Sequence, residues 1–223
     1  MSQDDSSFIR EVNEELRSDA AKAFWRRWRF IIMGLAVLIV VGTAAERGWQ
    51  YWREVTAARS GDRFLAALEL ARENKTDDAL AAFKSLETDG HGSYPVLARM
   101  RAATVIADGG DKAGAIEQFL IVANDGSVPE VLRDVARLRA GYLLVDTASY
   151  DDVSAAVEVL AVPENGLRHS AREVLGLAAY KANDFARARD WFDEIAADTQ
   201  APRGITRRAG IMLDLIASRA AES

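Results

Sequence analysis

The feature that most constrains this chain is an uncharged run of sixteen residues from Phe30 to Ala45. As a helix rising about 1.5 Å per residue, the run spans roughly 24 Å, slightly less than the roughly 30 Å hydrocarbon core of a bilayer. Arg29 can snorkel inward at one end, and Gly48-Trp49 can extend the other. With these extensions at both ends, the run can cross a membrane as one helix.

Aromatic and basic side chains flank this run. Amphipathic rings on both sides are typical of the two membrane–water interfaces. Lys and Arg are concentrated before the run, so the positive-inside rule predicts that residues 1–29 stay in the cytoplasm and residue 50 onward lies across the membrane. The residues expected at the interfaces are Trp25, Arg26, Arg27, Trp28, Arg29, Trp49, Tyr51 and Trp52.

A cleaved signal peptide and a buried helix of a soluble protein are the two alternatives. Gly42 and Ala44 in "GTAA" are small enough for a signal peptidase site. Against cleavage, 29 residues precede the run, and their apolar side chains recur on one helix face: Phe8, Val12, Leu16, Ala20 and Phe24. We predict a retained anchor preceded by an amphipathic helix that contacts membrane lipid or a protein.

Composition and charge limit what the rest of the chain does. The sequence has no cysteine, which excludes disulfides, thiolate nucleophiles and zinc sites built on cysteine. Residues 61–223 carry 19 Lys and Arg against 26 Asp and Glu. This acidic balance argues against a nucleic-acid partner.

Beyond residue 60, helical segments alternate with turn signals, and four columns of residues recur with a period near 36. The first column is small, the second begins the next helix, the third is mostly aromatic and the fourth is apolar. In order, the columns are Ala67, Ala103, Gly141 and Gly176; Ala79, Ala115, Val153 and Ala188; Phe83, Phe119, Val157 and Phe192; Leu86, Val122, Leu160 and Ile195.

The period predicts an all-α fold in which a helical hairpin is repeated about four times as an α-solenoid. One hairpin cannot bury its apolar face alone, so the hairpins must stack. A last helix, with Ile205, Ala209, Leu213 and Ile216 on one face, is expected to cover the final hairpin. The predicted segments are a cytoplasmic helix (1–29), a transmembrane helix (30–47), a helical connector (48–60) and the repeat domain (61–223).

The columns resemble the tetratricopeptide repeat, most closely in "EVLGLAAY" followed by "ARARDWFDEI". The whole order resembles the bacterial ancillary subunit of the SecYEG translocon: "FIREVNEELRSD", "FWRRWRF", one apolar span, "GWQYW" and degenerate repeats. The resemblance implies a single-pass inner-membrane protein with a periplasmic domain. It also implies protein partners, namely the SecYEG export channel and periplasmic chaperones or their clients.

Residues that carry chemistry do not converge in the sequence. His91 and His169 lie far apart, without the spacing of a metal site. Two of the acidic pairs, Asp77-Asp78 and Asp151-Asp152, are placed to begin second helices, where carboxylates favour the positive helix end. We therefore expect no enzyme, no cofactor, no metal and no small-molecule substrate.

A protein-binding surface is the remaining expectation. First helices of such hairpins line a concave face, and an apolar groove there suits an extended or helical peptide. Ordinary packing between helices is the alternative for each position. The groove residues predicted are Phe64, Leu68, Met100, Leu138, Tyr142, Leu177 and Tyr180. A scaffold for another envelope complex, in cell-wall or respiratory assembly, is the alternative function.

Overall fold

The computed structural model describes the backbone of residues 4–222 and the side chains of residues 25–219 except 26 and 32. Within that range the chain is helical and contains no strand, which confirms the predicted all-α class. The helices are α1 (Asp4–Arg72), α2 (Thr76–Asp89), α3 (Tyr94–Asp108), α4 (Lys112–Asn124), α5 (Glu130–Thr147), α6 (Tyr150–Val157), α7 (Arg168–Lys181), α8 (Phe185–Ala197) and α9 (Arg203–Glu222). A short 3₁₀ turn, Glu158–Leu160, follows α6.

The chain divides into two compact units, one ending at Thr56 and the other beginning at Ala57. The first unit is described only as helix α1, and the described side chains of its apolar run are exposed. The predicted boundaries at residues 29, 47 and 60 all fall inside α1, and they stay predictions. The predicted face of Phe8, Val12, Leu16, Ala20 and Phe24 lies outside the described side chains.

The second unit consists of four helical hairpins and a final helix. Residues 57–72 of α1 pair with α2, and the next hairpins are α3 with α4, α5 with α6 and α7 with α8. All sixteen residues of the four predicted columns are buried. Phe83, Phe119 and Phe192 occupy equivalent positions on α2, α4 and α8. The sequence period is therefore confirmed as a structural repeat.

The first column, which we call the small column, lets the two helices of a hairpin approach closely. A methyl group on Gly176 would lie 2.8 Å from the Phe192 ring, and one on Gly141 would overlap the Val157 side chain. The third column thus packs on the first column of its own hairpin. It also belongs to cores shared with the next hairpin, since Phe119 clusters with Ala136 and Ala140 of α5.

Four apolar cores follow one another along the second unit, and each joins one hairpin to the next helix. They lie between α1, α2 and α3; between α3, α4 and α5; between α5, α6 and α7; and between α7, α8 and α9. In the last core, Ala209 and Ile216 of α9 are buried against α8. The final helix covers the last hairpin as predicted.

Local turn chemistry fixes where these helices end. Asn74, Gly110 and Asn183 follow the small column by seven residues and take positive φ angles of 59°, 97° and 59°. Asparagine and glycine are the residues that tolerate this left-handed conformation. Ser149 begins α6 with a capping box to Asp152. The acidic pairs predicted to start second helices lie in the first turns of α2 and α6.

Candidate binding groove and membrane span

An open groove lies where three first helices, α5, α7 and α9, come together. Its volume is about 390 Å³. Helix α5 contributes Tyr142, which is 39% exposed, and α9 contributes Ile211, which is 54% exposed. The residues that line it are Tyr142, Glu173, Leu177, Arg208, Ile211 and Met212. We call this set the α5–α7–α9 groove.

The floor of the groove is a charged network around Glu173. This carboxylate is 4% exposed, and its Oε2 accepts a hydrogen bond from the Tyr142 hydroxyl at 3.0 Å. The Arg208 guanidinium binds both oxygens of Glu173: Nε contacts Oε1 and Nη2 donates to Oε2 at 2.8 Å. A buried carboxylate costs free energy unless it is paired, and the forked Arg208 contact supplies that pairing.

The same network shifts the pKa of two of its members, Tyr142 and Arg208. Burial, followed by the neighbouring Glu173 charge, raises the pKa of Tyr142 to about 12. The hydrogen bond to Glu173 raises the pKa of Arg208 above its usual value. Tyr142 therefore stays neutral and Arg208 stays charged at any physiological pH. These two side chains therefore give the groove fixed hydrogen-bond donors.

The walls of the groove are apolar and open to solvent. Leu177 and Met212 are half-buried in the last core, while Ile211 is exposed above them. Leu215 follows Ile211 by one helical turn and is 44% exposed. An apolar wall beside a few fixed polar groups is the usual lining of a ligand-binding cleft.

Two of the seven predicted groove residues, Tyr142 and Leu177, line this groove. The other five pack into the cores that join the hairpins. Phe64 contacts the rings of Phe83 and Tyr94, and Tyr180 meets Phe185 edge to face at 5.4 Å. Leu68, Met100 and Leu138 belong to successive cores. For these five the observed role is packing between helices, and their part in binding stays a prediction.

Four groove residues were not predicted: Glu173, Arg208, Ile211 and Met212. The signal that would have found three of them is Gly210, which follows Gly176 by 34 residues and so continues the small column into α9. On that register, Ile211 is the equivalent of Leu177 and Tyr142. The sequence prediction treated α9 only as a cover and missed that it also lines the groove.

In three hairpins, a polar side chain near the start of the first helix binds the loop that follows the second helix. Ser60 Oγ accepts a hydrogen bond from the His91 backbone N–H at 3.1 Å. Asp134 Oδ2 accepts one from Asn165 at 2.9 Å, and His169 Nε2 lies 2.9 Å from Asp198 Oδ2. Ser60, Asp134 and His169 are buried, so these partners satisfy them.

The two histidines lie in these end contacts rather than in a site. His169 is 5% exposed; burial and then the nearby Arg168 charge lower its pKa, although Asp198 opposes the shift. His91 is in the exposed loop before α3. Among the described residues, no group of three or more His, Asp and Glu is placed to hold a metal ion.

One helix in the described part of the chain is long and apolar enough to span a membrane, with a mean hydropathy of 2.0 over eighteen residues, none of them buried. Its described large apolar side chains from Phe30 to Val41 are each at least 55% exposed. This stretch of α1 is therefore not buried in a core, unlike residues 57–72 of the same helix.

The predicted interface residues flank this span. Trp25, Trp28, Trp49, Tyr51 and Trp52 are all exposed, and the rings of Trp49 and Trp52 lie 5.4 Å apart. Arg27 and Arg29 are exposed too, whereas the side chain of Arg26 lies outside the described residues. Their position at a membrane interface stays a prediction.

Comparison with known sequence families gives one finding. The family described as a tetratricopeptide repeat-like domain matches residues 22–215. The match covers the apolar span as well as the four hairpins and most of α9. No curated protein matches the chain.

Proposed function

We propose that this chain is a membrane-anchored scaffold for protein partners on the periplasmic side of the bacterial inner membrane. The premise is that the chain belongs to the family of tetratricopeptide repeat-like domains. Repeat domains of this kind bind other proteins on the face that their first helices share. The observation that carries the proposal is the α5–α7–α9 groove, where apolar side chains stay open to solvent above a satisfied polar floor.

The apolar span gives the proposal its mechanism. An exposed apolar helix needs a lipid surrounding, and the Lys and Arg before it favour a cytoplasmic N-terminus. Anchoring confines the hairpins to the membrane surface and raises their effective concentration beside other membrane proteins. A small groove with modest affinity is then sufficient for binding.

The partners proposed are the SecYEG export channel and a periplasmic chaperone or its clients. The order of elements supports this choice: an N-terminal segment with both acidic and basic residues, an aromatic and basic stretch, a single span, a second aromatic flank and degenerate hairpins. A periplasmic surface beside the export channel meets unfolded segments with exposed apolar side chains. A groove with apolar walls is suited to such segments.

Site-specific photo-cross-linking in intact membranes tests the proposal. A photoreactive amino acid replaces Tyr142 in the groove of the full-length protein. The matched control replaces Ile121 on second helix α4, which is similarly exposed at 43% against 39% for Tyr142. Cross-linked proteins are identified by mass spectrometry.

We expect channel subunits or a periplasmic chaperone to be captured from Tyr142 and not from Ile121. Capture of cell-wall or respiratory assembly factors without any channel subunit would support the alternative scaffold and reject the export assignment. Equal capture from both positions would contradict the groove as the binding surface.

A further inference from the structure

One face of second helix α4 is apolar and open to solvent. It forms an open depression of about 480 Å³, to which α4 alone contributes. Ile121 is 43% exposed, Ala113 is exposed, and Ile116 and Leu120 are half-buried. An exposed apolar surface of this kind often marks a site where another molecule packs. The residues that line it are Ala113, Ile116, Glu117, Leu120, Ile121 and Asn124, and we call this set the α4 patch.

The hairpin repeat does not require an apolar face at these positions. Residues 120–121 of α4 are Leu and Ile, whereas the equivalent residues are Lys and Ser in α2 (84–85) and Asp and Glu in α8 (193–194). Both of those helices still pack in the cores that join one hairpin to the next helix. The exposed Ile121 is therefore not needed for the packing of a hairpin.

Charge also distinguishes α4 from the other second helices. It contains one Lys and one Glu, whereas α2, α6 and α8 each contain more acidic than basic residues. Lys112 pairs with Asp146 of α5 at 2.7 Å, and Glu117 is the one charged side chain of the α4 patch. Because residues 61–223 carry a net negative charge, α4 is the second helix that another acidic domain approaches with the least repulsion. A second copy of this chain is such a domain.

We propose that two copies of this chain, anchored in the same membrane, associate through their α4 patches. With thirteen residues, α4 is about 20 Å long and about 10 Å wide, so one face presents roughly 200 Å². A stable complex in solution buries about 800 Å² on each partner, so the α4 patch alone is too small to hold a dimer in solution. Anchored copies share one orientation and a raised effective concentration, under which a small patch is sufficient. The inference rests on the anchoring in the proposed function and not on the α5–α7–α9 groove.

Pairing of identical patches brings the Glu117 side chains of the two copies towards each other. In a two-fold contact the same residues meet from both sides. Glu117 lies within the α4 patch between Ile116 and Leu120, and within the described part of the chain it makes no ion pair. Two glutamates near one axis repel each other, so a copy with Glu117→Lys should prefer a wild-type copy to its own kind. A partner of any other identity produces no such preference between copies.

Energy transfer between labelled copies in lipid vesicles tests this. The sequence has no cysteine, so the full-length Ser218→Cys protein takes a single donor or acceptor dye. Donor and acceptor copies are reconstituted together in vesicles of neutral lipid over a range of protein densities. The disruptive variant, Leu120→Lys with Ile121→Ser, gives α4 the residues that α2 has at these positions. The matched control is Val159→Ser, which removes a side chain that is 60% exposed, at the equivalent of position 121 after α6.

Wild-type copies are expected to show energy transfer above the level of random mixing at the same density. The disruptive variant should lose this excess and Val159→Ser should keep it, while circular dichroism reports that each variant keeps its helices. Energy transfer between Glu117→Lys and wild-type copies should exceed the transfer within either population. A photoreactive residue at Ile121 should capture the protein's own chain in intact membranes.

Three results would overturn the inference while the groove remains a binding surface. They are energy transfer at the random level in the wild type, an unchanged excess in the disruptive variant, and capture of a different protein alone from Ile121, which would assign the α4 patch to that partner. Protein that does not float with the vesicles would overturn the anchor and the inference together.

Discussion

Replacing Gly176 with alanine tests the contact on which the hairpin repeat depends. The added methyl group would lie 2.8, 2.9 and 3.0 Å from three carbons of the Phe192 ring. The ring is 0% exposed and is held by Ile195 and Ala209, so it has no free space to enter. The two helices must move apart or the ring must leave its preferred rotamer.

The size of the effect follows from two opposing terms. Overpacking of a closed core costs about 1–3 kcal/mol. Alanine in a helix interior gains about 0.5–1 kcal/mol over glycine. We therefore expect Gly176→Ala to lower the free energy of unfolding by about 1 kcal/mol. Gly210→Ala is the matched control, because nothing lies within 4 Å of its added methyl group, and it should gain the helix term alone.

Urea denaturation of the full-length chain in detergent, followed by circular dichroism, measures both variants. Gly176→Ala should unfold at lower urea than the wild type, and Gly210→Ala at higher urea. Adding Phe192→Leu to Gly176→Ala should restore part of the loss. If Gly176→Ala were as stable as Gly210→Ala, the reasoning about the small column would be wrong.

Three further predictions concern the ends of helices. Burial lowers the pKa of His169 below its ordinary 6.5, so as the pH falls through about 6.5 the unfolded chain takes up a proton that the folded chain does not. The free energy of unfolding should therefore drop below that pH and be retained above it. The variant His169→Gln should flatten the dependence of the melting temperature on pH. Asn183→Ala should cost about 1 kcal/mol in urea denaturation because φ is 59°, whereas Asn183→Gly should cost little; equal losses would contradict the left-handed turn. Ser149→Ala should cost about 1 kcal/mol and speed amide hydrogen exchange in α6, and unchanged exchange would rule out the capping box.

Much of the fold was predictable because hairpin packing repeats at a fixed sequence distance. Each hairpin buries the same four columns, so the period near 36 already implies the contacts within a hairpin. The left-handed positions follow the same register, as Asn74 and Asn183 illustrate. Local periodicity is sufficient wherever a residue's role depends on its own hairpin.

The groove was only partly predictable because it depends on neighbours in other hairpins. Met100 and Glu173 occupy the same column, yet Met100 packs in a core and Glu173 forms the groove floor. The difference is made by Arg208, which lies 35 residues after Glu173 on the terminal helix. No single-helix pattern contains that pairing, so sequence reasoning named Tyr142 and Leu177 and missed the charged network between them.

The central claim is that one chain crosses the membrane once and keeps its hairpins on the far side from its N-terminus. Because the sequence has no cysteine, single-cysteine variants report topology without background. Ser7→Cys and the exposed Ser218→Cys are treated with a membrane-impermeant maleimide in intact spheroplasts. A single span with a cytoplasmic N-terminus predicts labelling of Ser218→Cys at once and of Ser7→Cys only after lysis, with both in the membrane fraction. Labelling of both before lysis, or recovery of Ser218→Cys in a soluble fraction that lacks the N-terminus, would contradict it.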